Sequence, residues 1–158
     1  MMSRCALFVA ALVLLTTLPA CDSGGEDDFS LEGDGISMSD IAGTWTATRA
    51  FFSRAATGPA VDVEIVALGG TATLVIQTNG RFTFTTALPG EAPDVTTGQL
   101  GFDEDLLVVI YDDEPDDFEF FGIQFSGNTL SINGQGTYDF DDDGAEEAAV
   151  IELDFVRG

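Results

Sequence analysis

The chain predicts an all-β fold: an antiparallel up-and-down meander of about eight or nine strands closing into a barrel, preceded by an export signal and a flexible tether. Three observations carry this expectation. From residue 41 onward apolar and polar residues alternate at period two, as where Val61, Val63, Ile65 and Ala67 are interleaved with Asp62, Glu64 and Val66, or Ile151, Leu153 and Phe155 with Glu152 and Asp154. Turn signals recur at short intervals, at Gly69-Gly70, Pro89-Gly90, Asp103-Glu104, Glu114-Pro115, Gly127-Asn128 and Asp143-Gly144. Past the leader, no stretch sustains helical spacing.

The leader comes first in the chain. Met1-Met2-Ser3-Arg4 carries one positive charge, Cys5 to Leu18 is uncharged and apolar, and Leu18-Pro19-Ala20-Cys21 closes the run with a small residue before a cysteine. These are the parts of an export signal, and the apolar run is shorter than the ~20 residues a membrane span needs. The terminal cysteine resembles the lipobox of bacterial lipoproteins, with Pro19 in a slot more often held by Ala, Ser or Thr. That resemblance implies cleavage after residue 20 and acylation of Cys21, hence a bacterial cell-envelope protein held to the membrane by N-terminal lipid. The outer membrane is favoured over the inner, and a monomer is expected. The other reading of residues 1–20 is an ordinary signal peptide with a chance cysteine.

Residues 21–40 form the expected tether. Asp22 to Asp40 is rich in Gly, Ser, Asp and Glu with scattered apolar residues, too few to order themselves, so a coil of roughly 25 Å is expected. The alternative is that Ile36 and Met38 begin a strand. Residues 41–158 then form the barrel domain, with strands at about 43–53, 60–68, 70–78, 81–88, 95–102, 105–112, 117–125, 128–134 and 136–156, the last interrupted. One hairpin can be placed in register. With Thr78-Asn79-Gly80 as a three-residue loop and Gly80 in the left-handed region, Ile76 meets Phe82 and Leu74 meets Phe84, all on one face. A two-residue loop would split them between faces. A meander this long with one apolar face becomes a barrel or a sandwich, and closure removes edge strands.

Composition excludes several functions. There are 28 Asp and Glu against 5 Lys and Arg, no His, and a formal charge of −23. Phosphate backbones repel such a chain, so nucleic acid is excluded as a partner, and so is electrostatic attachment to anionic lipid. The same acidity resembles that of salt-adapted proteins, whose surface carboxylates keep them hydrated. Cys5 leaves with the leader and Cys21 is used by the anchor, so no disulfide is expected. Without histidine, a free thiol or a Gly-x-Ser-x-Gly elbow, the chain is not expected to be an enzyme.

Gly43-Thr44-Trp45 opens the first strand and Phe155-Val156-Arg157 closes the last. This pair resembles the lipocalin-like group of bacterial envelope lipoproteins, across residues 41–158. The resemblance implies that Trp45 and Arg157 close one end of the barrel through a cation–π contact, and that the barrel carries a small hydrophobic ligand. No Thr-Asp-Tyr occurs in mid-barrel; Ile110-Tyr111-Asp112 stands nearest to it. The candidate lining is Phe51, Phe82, Phe84, Phe102, Phe120, Phe121, Phe125 and Tyr138. The same rings would equally serve a filled interior, which leaves a second reading: a structural or interaction domain with a packed core, stiffened by calcium.

Calcium enters through Asp139-Phe140-Asp141-Asp142-Asp143-Gly144. Carboxylates at alternate positions before a glycine can fold round one ion, and Asp139, Asp141, Asp143, the Ala145 carbonyl and Glu147 would supply oxygens for Ca²⁺. The twelfth position is Val150 and the flanks are strands, so this is not an EF-hand. No other cofactor is expected.

Overall fold

The structure is a computed structural model, and it describes residues 29–54, 61–141 and 143–158. Cys21 and the leader lie outside the described residues. In chain order the elements are β1 (Glu32–Gly33), β2 (Ile36–Ser37), α1 (Met38–Ile41), β3 (Gly43–Arg54), β4 (Asp62–Glu64), β5 (Thr71–Ile76), β6 (Arg81–Ala87), β7 (Asp94–Asp103), β8 (Leu106–Tyr111), β9 (Glu119–Ser126), β10 (Thr129–Tyr138) and β11 (Glu147–Arg157).

Neighbouring strands pair antiparallel in chain order from β5 to β11, and β11 then pairs with β3 to close the wall. The result is an eight-stranded up-and-down barrel of β3 and β5–β11. On its other edge, away from β11, β3 is paired in two pieces. Its first half pairs with β5 (Gly43 with Ile76) and its second half with the short β4 (Phe52 with Val63). The expected strand at 60–68 is therefore only three residues long. A turn follows it, in which the Ile65 amide still bonds to the Ala50 carbonyl and Gly70 returns to the Ile65 carbonyl. Ile65 is buried there while Ala67 is exposed.

The β5–β6 hairpin has Ile76 opposite Phe82 and Leu74 opposite Phe84, with Gly80 at φ 84°. A Cβ on Gly80 would lie 2.4 Å from the Leu100 carbonyl oxygen, so the turn also needs a glycine to pack against β7. The expected break near residue 135 does not occur. β10 runs unbroken to Tyr138, and the interruption falls later, between β10 and β11. Gly134 and Gly136 stay in the strand because the space their side chains would fill is taken. A Cβ on Gly134 would stand 2.6 Å from the Phe121 ring, and one on Gly136 would stand 2.8 Å from Ile151.

A β-bulge sets the orientation of the first strand. Opposite β11, Phe155 pairs with Ala47 but Asp154 pairs with Arg49, leaving Thr48 as the extra residue. The slip moves the inward set from Trp45 and Ala47 to Ala50 and Phe52, all buried.

The tether boundary at residue 40 is corrected. Residues 29–41 belong to the folded body: Ser30 bridges to Phe102, Asp34 donates to the Glu104 carbonyl, and Met38 and Ile41 are 1% and 0% exposed. Ser37 caps α1, accepting from the Asp40 amide while the Asp40 carboxylate accepts from the Ser37 amide at 2.9 Å. These bonds to Ser37 hold the Asp40 carboxyl below its ordinary range. Burying Met38 and Ile41 under the barrel contributes about 2 kcal/mol each, which the local sequence by itself could not supply.

Candidate functional site: the barrel interior and its acidic mouth

The barrel has one closed end. Trp45, fully buried at the start of β3, donates its indole N–H to the Ile41 carbonyl at 2.8 Å. Arg157, at the end of β11, lies over the indole with its guanidinium carbon 4.3 Å from the ring centroid. The same guanidinium donates to the Ala42 carbonyl at 2.8 Å and the Asp40 carbonyl at 2.7 Å, and to Gly127 at 3.3 Å. It thereby covers the indole and satisfies carbonyls at the end of α1 together. Gly43 has φ 142°, and a Cβ there would stand 2.7 Å from the guanidinium, so only glycine leaves room for this arginine. Phe125 packs edge-on to Trp45 at 6.2 Å, and Phe102 is buried where Gly33 lies against its ring. Both therefore belong to the closed end.

Above this plug lies an apolar cavity of about 130 Å³. Phe82, Phe84 and Phe121 line it, together with Phe52, Leu74, Leu107 and Ile151. The interior is therefore neither packed solid nor a wide cup. A cavity near 150 Å³ lined by such side chains stays dry and accepts a benzene-sized molecule. Two of the expected lining residues face outward and are corrected. Phe51 lies under Arg49, 4.7 Å from its guanidinium, because the Thr48 bulge gives its inward place to Phe52. Phe120 is 45% exposed, on the opposite face of β9 from Phe121. Tyr138 stands higher, between Phe52 at 4.4 Å and Phe140 at 4.9 Å, beside a mouth cleft of about 510 Å³ that meets the cavity at Phe52, Phe84 and Thr137.

One inward group was missed in the sequence. On β9, Phe121 faces the cavity, so alternation turns Glu119 inward too. Its carboxylate accepts from the Tyr111 hydroxyl at 2.6 Å. Gly136 makes the space, since a Cβ there would sit 3.1 Å from a Glu119 oxygen. Burial raises the Glu119 carboxyl above the usual carboxylate range, with the Tyr111 bond opposing and Glu146, Asp117 and Glu114 reinforcing the rise. Tyr111 is raised in turn, by burial first and then by its bond to Glu119. An acidic residue in an otherwise apolar inward set was the signal that could have revealed the site.

The β10–β11 loop gathers Asp139, Asp141 and Asp143, with one carboxylate oxygen from each inside 4.8 Å of the others. Asp139 accepts from the Asp141 and Gly144 amides and Asp143 from the Ala145 amide, with Gly144 at φ 84° completing the turn. Glu147 is not brought into this group. It accepts from Arg54 at 2.7 Å and from the Phe140 amide at 3.1 Å. Ala145 takes part here through its amide.

Comparison with known proteins gives no match to a family model, to a curated protein or to a solved structure.

Proposed function

We propose that this protein is a lipid-anchored, lipocalin-like envelope lipoprotein, held through Cys21 on the outer membrane in preference to the inner, that binds and carries a small hydrophobic ligand without chemically altering it. The observation that carries the reading is the apolar cavity of about 130 Å³, closed below by Trp45 and Arg157 and opening above into the mouth cleft. A barrel whose purpose was packing alone would fill this space, because large-to-small gaps in a core cost about 24 cal/mol per Å³. Native mass spectrometry of protein purified from membranes tests the reading. A co-purifying apolar molecule together with a diacylglyceryl mass on Cys21 is expected, and bare, unlipidated protein would overturn it.

A second reading, a calcium-stiffened structural domain, is favoured by the convergence of Asp139, Asp141 and Asp143. It expects Ca²⁺ to raise the melting temperature and Asp141→Ala to remove the rise. Coincident melting curves in calcium and in chelator would dismiss it.

A further inference from the structure

We propose that the outer face of β8 and β9 is a lipid-docking surface, which the acyl anchor on Cys21 holds against a bilayer of zwitterionic headgroups. The inference rests on the lipid anchor proposed above and adds to it the side of the barrel that meets the membrane. Leu107, Val109 and Tyr111 line the cavity, so alternation turns Leu106, Val108 and Ile110 outward. On β9, where Phe121 faces the cavity, Phe120 faces out and pairs with Val108. The solvated face of an antiparallel sheet ordinarily carries polar residues at such positions, so an apolar outer face stands out in a chain of formal charge −23. Phe120 is 45% exposed and Leu106 37%. An exposed apolar patch of this kind marks a surface that meets a partner or a membrane.

The chain that leads from Cys21 arrives on this same face. Phe29 packs on Gly101 of β7, where a Cβ would stand 2.4 Å from the Phe29 Cβ, so the segment lies this close only over glycine. Gly101 pairs with Val108, and the Phe29 ring meets Phe118 edge-on at 5.2 Å, just ahead of β9. Phe29 and Phe118 thereby extend the apolar face, and Val108 is fully buried within it. Cys21 stands eight residues before Phe29, which sets a reach of at most about 28 Å. A lipid anchor so near, starting from this face, raises the effective concentration of bilayer at Phe120 and Leu106. Aromatic side chains are favoured at the membrane–water interface. The rim of the face selects the lipid. Asp103, Glu104 and Asp105 run up to Leu106, and Asp116 and Asp117 precede Phe118. Anionic headgroups are repelled by these carboxylates, and zwitterionic ones are not.

The test uses the lipidated protein in phosphatidylcholine vesicles. Acylated Cys21 offers no free thiol, so Leu106→Cys, or Val75→Cys at an exposed position across the barrel from β9, takes an environment-sensitive fluorophore alone. Nitroxide-bearing lipid is expected to quench the Leu106 label at least about threefold more than the Val75 label, as for a face docked most of the time. Phe120→Glu should bring the two labels level while the protein still floats with the vesicles. Exchanging part of the phosphatidylcholine for phosphatidylglycerol should weaken quenching at Leu106; an increase would overturn the choice of zwitterionic lipid. If the two labels are quenched alike in the parent, or Phe120→Glu changes nothing, the docking face falls and the anchor stands. If the protein does not float with vesicles, the anchor falls and the docking face with it. Shielding of the Leu106 label that grows with protein concentration in the unlipidated Cys21→Ser variant, without vesicles, would assign the face to a second copy of the chain and overturn the lipid assignment.

Discussion

Arg157→Met keeps much of the aliphatic stem of Arg157 and removes its guanidinium, isolating what that group does at the closed end. Three losses add up, the longer exposed bond to Gly127 at 3.3 Å adding little. The contact over Trp45 at 4.3 Å is worth about 0.5–2 kcal/mol. The bonds to the Ala42 and Asp40 carbonyls, at 2.8 and 2.7 Å, each contribute about 0.5–1.5 kcal/mol net. Water can replace part of the more exposed Asp40 contact, so the expected cost is about 2–3 kcal/mol. For a domain of this size that corresponds to a fall of roughly 8–12 °C in melting temperature. The assay is built in: Trp45 is the chain's single tryptophan and is fully buried, so its emission follows unfolding in urea. Arg157→Lys, which keeps the charge without the planar fork, should lie between the two. An unfolding free energy for Arg157→Met within about 0.5 kcal/mol of the parent would refute the plug as a source of stability.

Two further outcomes follow from the charges. Because burial raises the Glu119 carboxyl, its folded state holds the proton more tightly than the unfolded chain does. The ionised group therefore costs stability above its folded pKa, and the cost is gone below the unfolded value near 4.3. Glu119→Gln is expected to be more stable than the parent at pH 7 and to lose that advantage by about pH 4; an equal or lower melting temperature at pH 7 would contradict the sign. With a formal charge of −23, raising NaCl from about 0.05 to 1 M shortens the screening length from more than 10 Å to about 3 Å and should raise the melting temperature. A flat profile would show that self-repulsion is not limiting.

Much of the barrel is legible in the sequence because strand alternation is a local signal. The pairing of Ile76 with Phe82 follows from the turn chemistry of Thr78-Asn79-Gly80 and the need to gather four apolar side chains on one face. What escapes local reading depends on distant partners. The Thr48 bulge arises where β3 meets β11, more than a hundred residues away in sequence, and nothing around Thr48 announces that Phe52 rather than Phe51 turns inward. Residues 29–41 are too sparsely apolar to order alone. They fold because the base of the barrel offers Met38 and Ile41 somewhere to be buried. Glu119 is the opposite case: its position among Phe121, Ile123 and Phe125 was visible, but a carboxylate in an inward row makes sense only once the bond from Tyr111 and the space left by Gly136 are seen. The Asp139–Asp143 loop was legible as a loop; the diversion of Glu147 to Arg54 was not, since it requires the β3–β11 pairing.

The hollow interior is most directly tested by titrating benzene into isotopically labelled protein and following methyl resonances by two-dimensional NMR. Saturable shifts at Leu74, Leu107 and Ile151, which line the cavity, with none at Leu68 on the exposed β4–β5 turn, are the expected result. Methyl spectra unchanged up to saturating benzene would mean that the barrel is filled and carries nothing.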